Sequence, residues 1–310
     1  NFSCVYCYQN KNEKLMTTEV ANMIIEKIDR ILNDNIFEGI NIHYFGGEPL
    51  LNIPVLIYLD ENIKKITDKI GIVYKAFLTT NGSMLSKELL QKVKFSSIQL
   101  TFDGLEKTHD RLRVSDHFHF KEEIELIENI MNFSQAKVLL RTNICKENKD
   151  EIIALHKYIF EKFGNERIEI NPNRTIKYHQ DDSFEMLSVQ EYAEVAYQIK
   201  LLWSEQKGKF ELPVPRSTPC KFPYGNAYAI SPEGYCTFCS GSMDQEKKYF
   251  FDVDIENKKM FSVRKECKKC NILPLCLGGC IIQYNLRAGA CTYEKYELKN
   301  ILISYIKHIS

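Results

Sequence analysis

The spacing of the cysteines restricts this 310-residue chain more than any other feature. Cys4 and Cys7 have two residues between them at the start of the chain, and a second set, with one glycine, lies in the last third. That set, spaced C-x13-G-x4-C, then C-x2-C-x5-C-x3-C, then C, is Cys220, Gly234, Cys239, Cys267, Cys270, Cys276, Cys280 and Cys291. Thiolates at short, repeated intervals converge on metal, because one loop can direct two or three sulfurs at one centre. The pattern predicts ligands for separate iron–sulfur clusters, and therefore a redox enzyme.

Charge and hydropathy argue against several classes of protein. The chain has 41 basic and 41 acidic residues, so bulk electrostatics does not favour nucleic acid or an anionic membrane as a partner. No run of about 18 apolar residues could span a bilayer. Eleven cysteines without a secretory signal favour metal ligation in a reducing cytoplasm, and a disulfide framework is the alternative.

Short β-rich segments alternate with amphipathic helical segments up to about residue 174. The predicted strands are Ile40–Phe45, Ile72–Thr79, Ser97–Phe102, Lys137–Asn143 and Arg167–Asn171. The predicted helices are Thr17–Asn33, Val55–Ile70, Lys87–Val93, Lys121–Phe133 and Lys149–Phe163. This alternation predicts parallel strands with helices outside them, in either an open sheet or a barrel.

The last third of the chain has a different organisation. A helix near Val189–Glu205 leads to a linker containing Pro213, Pro215 and Pro219, beyond which helical patterns become scarce. Gly234 predicts a turn between two short strands, and we expect a final helix over about Tyr293–Ile309 to pack back on the body.

The segment Cys4-Val5-Tyr6-Cys7 resembles the second half of the cluster loop of the radical S-adenosylmethionine (SAM) superfamily. That loop has the spacing C-x3-C-x2-C with an aromatic residue before the last cysteine, so we expect a cysteine directly before Asn1 in the full protein. The resemblance implies that Cys4 and Cys7 are catalytic ligands of a [4Fe–4S] cluster whose open iron binds SAM, with Tyr6 against the adenine. Taken alone, two cysteines at this spacing fit a zinc or structural site equally well.

Gly46-Gly47-Glu48 follows the first predicted strand. Such a segment is usually an ordinary turn, but glycines there also let the backbone approach a ligand. Its distance from Cys7 resembles that of the superfamily motif that binds the SAM amino group.

Two later strand ends each carry a pair of polar residues two positions apart. Thr101 and Asp103 form one pair, and Arg141 and Asn143 form the other. Side chains two positions apart lie on the same face of a strand, so each pair can point into a barrel. The resemblance implies that such groups contact the ribose and carboxylate of SAM. The alternative is that Asp103 begins a turn and that Arg141 pairs with a local acid. Cys145 has no cysteine near it in sequence and is interpreted as a buried apolar thiol.

The late cysteine set is similar to the seven-cysteine signature of the SPASM domain, an extension of peptide-modifying radical SAM enzymes. The resemblance implies two auxiliary [4Fe–4S] clusters. The first would use Cys220, Cys239 and Cys280, and the second Cys267, Cys270, Cys276 and Cys291. Cys236 is a candidate for the missing fourth ligand of the first, although its strand parity with Cys239 favours packing. A zinc site of Cys267, Cys270, Cys276 and Cys280 is the competing interpretation.

The sequence therefore predicts a partial (β/α)6 TIM-type barrel over residues 1–206, followed by a small cysteine-rich α+β SPASM domain over residues 207–310. The resemblance implies a cytoplasmic radical SAM peptide maturase with three [4Fe–4S] clusters. It would take an electron from a flavodoxin or ferredoxin, and a 5′-deoxyadenosyl radical would abstract a hydrogen from a precursor peptide. A thioether or carbon-based crosslink would follow.

Two other functions stay open at this point. An anaerobic sulfatase-maturing enzyme shares the expected fold and clusters, but typically has an aspartate base directly after the cysteine that matches Cys239. Here Ser240 and Gly241 follow, and only Asp244 could substitute. A non-enzymatic zinc-binding interaction protein is the second alternative.

Overall fold

The computed structural model describes residues 1–9, 13–164, 166–177, 183–217, 220, 227–237, 239, 248–252, 263–280 and 291–309. The larger sheet contains β1 (Gly39–Tyr44), β2 (Val73–Thr79), β3 (Phe95–Thr101), β4 (Lys137–Ile144) and β5 (Ile168–Arg174). The helices around it are α1 (Thr18–Asp34), α2 (Ile53–Ile70), α3 (Lys87–Lys92), α4 (Glu106–Leu112), α5 (Phe120–Phe133), α6 (Ile152–Phe163) and α7 (Val189–Lys207). All five predicted strands are confirmed, whereas α4 was not predicted.

Strand order decides between the open sheet and the barrel. The five strands are all parallel and lie in the order β1-β2-β3-β4-β5. An open doubly wound sheet reverses direction at a switch point, and this sheet has none in the described ranges. Because parallel crossovers are right-handed, an unreversed order places the connecting helices on one face of the sheet. The fold is therefore the α/β wall of a partial barrel, as predicted, with five of the six strands of a (β/α)6 barrel in the described ranges.

The alternation of side chains in β4 shows how the two faces of this wall differ. Val138, Leu140 and Ile144 are fully buried on the side of the helices. Arg141 and Asn143 are half-buried on the opposite, inner face. Apolar burial on one face thus leaves the inner face available for polar side chains, as the alternating strand geometry requires.

Local signals fix the ends of the helices that flank the site. Thr17 caps α1 by accepting the Val20 amide, and Ser188 and Glu191 form a capping box at the start of α7. Gly71 ends α2 in the left-handed conformation, at φ 82°, where glycine carries no Cβ penalty.

The C-terminal part is small and built from short elements. Strands β6 (Ala229–Ile230), β7 (Tyr235–Thr237) and β8 (Lys248–Tyr249) form an antiparallel sheet, with Gly234 at φ 84° in the predicted turn. One helical turn, α8 (Leu273–Cys276), precedes the final helix α9 (Glu294–Ile309).

The final helix packs against the barrel, as predicted. Lys200 of α7 lies 2.5 Å from the Glu297 carboxylate of α9, and the Tyr192 and Tyr293 rings meet edge to face at 5.2 Å. No helix in the described ranges is long and apolar enough to cross a membrane.

Candidate functional site

The N-terminal cysteine loop docks on the last residue of α4 and on the segment that follows it. The Ser3 amide donates to the Val114 carbonyl at 2.8 Å, and the Val5 amide donates to the Leu112 carbonyl at 3.0 Å. The Cys7 amide donates to the Cys4 carbonyl at 3.1 Å and closes a turn between the two cysteines. Both thiols are partly exposed. The loop is thus held at the carboxyl edge of the sheet by its backbone, which leaves the thiols available as ligands.

Tyr6 and Asp103 connect this loop to the barrel. The Tyr6 hydroxyl donates a short hydrogen bond to the Asp103 carboxylate, which also accepts the Asn143 amide at 2.7 Å. Asp103 is fully buried, and burial raises its pKa, while the charge of Arg113 acts in the opposite direction. The Asp103 carboxylate therefore connects the cysteine loop, through Tyr6, to β4, through Asn143.

Glu48 is held by the neighbouring strand end. Its Oε1 accepts the Thr80 hydroxyl at 2.6 Å and the Leu50 amide at 3.0 Å, and its Oε2 accepts the Asn81 amide at 2.7 Å. Burial raises the pKa of Glu48, and these hydrogen bonds oppose that rise. A carboxylate offers about four lone-pair positions, so one on Oε2 remains for a ligand donor. The contact of Glu48 with the SAM amino group stays a prediction.

Gly46 and Gly47 form the turn that precedes this acid. Gly46 has a φ of 144°, a conformation that L side chains rarely adopt. A Cβ at Gly46 would meet no atom within 4 Å, so the glycine is required by its backbone angle rather than by crowding.

The inner ends of β3 and β4 bring together the other predicted SAM contacts. Thr101 pairs with Arg141 in the register, and Arg141 Nε donates to Asn143 Oδ1 at 2.8 Å. Burial lowers the pKa of Arg141, and the charge of Asp103 acts against that effect. No ion pair within 4.0 Å joins Arg141 to an acid among the described residues, and the choice between a SAM contact and a local acid partner stays open.

Sequence reasoning missed the amide side chains beside this pair. Asn171 Nδ2 donates to Gln99 Oε1 at 3.0 Å, and Asn173 Nδ2 donates to Asn171 Oδ1 at 2.8 Å. All three lie on the inner face, where the register places Asn171 beside Arg141. The signal that could have found them is the parity that identified Arg141, applied to the next strand.

A second site lies in the C-terminal part, where four thiols line one cavity. These are Cys267, Cys270, Cys276 and Cys291. Cys280 is exposed and does not line this cavity. The four are the residues that the SPASM resemblance implies for one cluster, whereas the zinc interpretation would require Cys280 in place of Cys291.

A left-handed turn places part of this cavity wall. Leu277, Gly278 and Gly279 have φ values of 49°, 92° and 75°. A Cβ at Gly279 would lie 2.6 Å from the Thr292 methyl group, so only glycine lets the turn approach the segment that carries Cys291.

The chemistry of the cavity fits an anionic thiolate cluster. The Gly278 amide donates to Cys276 Sγ at 3.4 Å, and Lys295 Nζ lies 3.9 Å from Cys291 Sγ. Arg264 adds a second cation, and Thr292 Oγ1 is buried without a hydrogen-bond partner among the described residues. Within those residues no three His, Cys, Asp or Glu side chains are arranged around a single metal ion.

Residues 1–159 match the Radical SAM superfamily, which is half of the chain. The chain belongs to the radical SAM superfamily. It is therefore an enzyme that uses SAM and an iron–sulfur cluster, and the non-enzymatic zinc alternative is wrong.

Two curated proteins are similar to this radical SAM chain. Radical SAM cyclopropyl synthase TigE of Paramaledivibacter caminithermalis is 24% identical over 348 aligned positions, covering 97% of this chain and 71% of that protein. MJ0907 of Methanocaldococcus jannaschii is 34% identical over 110 residues, which are 34% of this chain and only 36% of that protein.

Solved structures share the fold. Native anSMEcpe with bound AdoMet has a TM-score of 0.72 at 17% identity, covering 100% of this chain and 96% of that one. The same protein with AdoMet and the Kp18Cys peptide gives 0.69 at 18% identity, covering 98% and 95%. Streptococcus suis SuiB bound to S-adenosylmethionine gives 0.59 at 16% identity, covering 95% and 70%.

The predicted role of Cys4 and Cys7 as ligands of the SAM-binding cluster stays a prediction. Burial raises the pKa of the Cys4 thiol, and the nearby positive charge of Arg113 favours its thiolate. Cys4 therefore combines partial exposure with a nearby cation.

The remaining thiols are less closely grouped. Cys220 and Cys239 are partly exposed, and Cys280 is exposed. Cys236 is 3% exposed among Ile24, Phe250 and other apolar side chains, and burial raises its pKa to about 11. Its apolar surroundings support the interpretation of Cys236 as a packed thiol and not as a cluster ligand. Cys145 is fully buried, as predicted.

Several residues of the sequence argument lie outside the described residues. They are Pro219 of the linker and Ser240, Gly241 and Asp244 after Cys239.

Proposed function

We propose that this chain is a radical SAM peptide maturase that removes a hydrogen from a ribosomally made precursor peptide and installs a thioether or carbon-based crosslink. The observation that carries the proposal is the second thiol site, a cavity lined by four cysteines on the same chain as a radical SAM domain. Support comes from the alignment with TigE over 97% of this chain and from the fold of anSMEcpe, which has a peptide bound.

The proposed cofactors are SAM and three [4Fe–4S] clusters. Cys4 and Cys7 would hold the SAM-binding cluster, and Cys220, Cys239 and Cys280 the first auxiliary one. The cavity thiols would hold the second auxiliary cluster, with Lys295 and Arg264 offsetting its negative charge. The proposed domains are residues 1–206 and residues 207–310. A flavodoxin or ferredoxin would supply the electron, in the cytoplasm and without a nucleic-acid or membrane partner.

When bound, SAM and its cluster supply the 5′-deoxyadenosyl radical that abstracts the hydrogen. The residues of this chain fix where that happens. Asp103 joins the cysteine loop to β4 through Tyr6 and Asn143, so the cluster ligands and the inner face keep one geometry. Glu48 holds the loop after β2 and keeps one lone pair free. Such fixed placement is the main contribution a protein makes to radical transfer.

The amides of the inner face suit a peptide. The hydrogen bonds from Asn173 to Asn171 and from Asn171 to Gln99 run in one direction. This leaves the Nε2 donors of Gln99 and the Oδ1 acceptor of Asn173 without partners within the described residues. A peptide group presents both an acceptor and a donor, and can bind at either end of this row.

The test is anaerobic incubation of the full-length enzyme with SAM, a reductant and the peptide encoded beside its gene, followed by mass spectrometry. A product that has lost two hydrogens is the expected result. A product of unchanged mass with an inverted residue would contradict the crosslink. Oxygen in place of a cysteine sulfur together with loss of two hydrogens, or loss of two hydrogens that fragmentation assigns to a single serine, would instead identify a sulfatase-type maturase. Enzyme carrying Cys4→Ala and Cys7→Ala is the matched control and should give no product.

A further inference from the structure

A buried arginine that sequence reasoning missed lies in the segment that holds the cysteine loop. The two backbone hydrogen bonds join Ser3 to Val114 and Val5 to Leu112. They flank Cys4 on the loop and Arg113 on the other segment. Burial raises the pKa of the Cys4 thiol, and the charge of Arg113 acts in the direction that lowers it.

Arg113 is held from behind by a buried acid. It is 6% exposed, and its Nε lies 4.0 Å from the fully buried Glu123 carboxylate. Glu123 also accepts the Thr101 amide at 3.2 Å and lies 3.2 Å from His109 Nε2. The guanidinium is therefore tied through Glu123 to the end of β3, while the Phe2 ring lies 5.4 Å from its centre.

The charge of Arg113 acts on ionisable groups of the cysteine loop and of the strand end beside it. Burial opposes the charge of Arg113, whereas Tyr6, Glu123, Cys4 and Asp103 favour it and raise its pKa. In a buried environment of low dielectric, such a charge interacts strongly with a thiolate. The buried Nε–H of Arg113 has no hydrogen-bond acceptor among the described residues, which is unusual for a buried polar group.

We propose that Arg113 is a positioning residue of the SAM-binding cluster, which orders the Cys4 loop and favours the reduced cluster through its fixed positive charge. Reduction adds one negative charge, and a nearby cation stabilises the reduced form and raises the reduction potential. The inference rests on membership of the radical SAM superfamily and not on the peptide, so it holds whatever the substrate is.

The test compares Arg113→Met, Arg113→Lys and a matched control, Arg111→Met, whose residue is exposed in the last turn of α4, two positions before Arg113. Arg113→Met should lower the reduction potential of the SAM-binding cluster and slow peptide-free SAM cleavage at least about tenfold, while Arg113→Lys restores most of both. The auxiliary clusters serve as internal references and should keep their potentials. In iron-free protein, Arg113→Met should speed hydrogen exchange at the Ser3 and Val5 amides.

Glu123→Gln supplies a second variant if Arg113→Met does not fold. Removing the acid leaves the arginine charge less balanced, so the potential of the same cluster should rise instead of fall. Unchanged potential and unchanged exchange in Arg113→Met, with only a lower melting temperature, would overturn the proposal. So would a fall in potential for Glu123→Gln. If the variants change the potential and the hydrogen exchange as expected but the wild-type enzyme forms no crosslink, only the proposed function is contradicted.

Discussion

The two thiol sites of this chain are built in opposite ways. The N-terminal loop is fixed by backbone bonds and by Tyr6 and Asp103 to a barrel with an extensive apolar core. The C-terminal cavity is lined by turns, and Ile272 is the one buried residue in the stretch 263–280. So little apolar core in these described residues contributes little to stability, and we expect metal bound to the thiols to supply the rest. The barrel shapes its own site through its apolar core, whereas bound metal would act as the core of the second site.

The largest expected effect tests whether the two sites are separate. Cys4→Ala together with Cys7→Ala should reduce SAM cleavage below detection, because the only thiols of that loop in the described chain are gone. The auxiliary iron should remain, since its ligands lie in another part of the chain. Formation of 5′-deoxyadenosine and total iron measure the two outcomes. Loss of all iron in this variant would show that the sites load together.

The second prediction is that metal bound to the cavity thiols stabilises residues 263–280. Cys267→Ala with Cys270→Ala should speed hydrogen exchange over residues 263–280 by about a hundredfold or more, equivalent to about 2.8 kcal/mol. Exchange in β3 and β4 should change little, because their core does not include these thiols. Cys145→Ala removes a buried thiol far from the cavity and is the matched control. Equal protection of residues 263–280 with and without iron would remove the contrast between the regions.

The third prediction sharpens the description of the N-terminal loop. Tyr6→Phe leaves the buried Asp103 carboxylate without its hydroxyl donor, which costs about 1–3 kcal/mol. If part of that cost appears as looser placement of the loop, SAM cleavage should fall about tenfold while iron content is kept. Tyr58→Phe, which removes an exposed hydroxyl bonded to Asn22, is the control. A Tyr6→Phe enzyme with normal SAM cleavage would mean that backbone bonds alone position the loop.

The smallest effect is expected at Cys236, which lies between the two regions. Cys236→Ala should cost about 1 kcal/mol of unfolding free energy and leave the paramagnetic resonance of the reduced auxiliary clusters unchanged. Cys236→Ser should cost more, because a hydroxyl would be buried among apolar side chains without a partner. If Cys236 is instead a ligand, the alanine variant will change the spectrum of one auxiliary cluster.

Much of the barrel could be predicted because its signals are local. Strand positions follow from runs of alternating apolar residues, and the ends of α1 and α7 follow from Thr17 and Ser188 as caps. Helix α4 was missed because seven residues carry too short a periodic pattern. That omission also hid Arg113, which follows it directly.

Partners far apart in sequence could not be predicted from spacing. Tyr6 and Asp103 are 97 residues apart, and Thr80 is 32 residues from Glu48. The sequence predicts that Glu48 contacts a ligand, and the structure adds that its carboxylate accepts three hydrogen bonds from Leu50, Thr80 and Asn81. Which donors reach a buried acid depends on strand register and loop path, which no local pattern encodes.

The sequence by itself determined the two groups of thiols, the α/β alternation and the polar residues at the strand ends, because each is a matter of spacing along the chain. Only the tertiary structure decided that the strands run in one unreversed order, that Cys267 shares a cavity with Cys291 and not with the Cys280 of the zinc interpretation, and that Arg113 lies in the segment that holds the Cys4 loop. Those three facts depend on packing between distant segments, whose free energy is set by the whole core and not by any one segment.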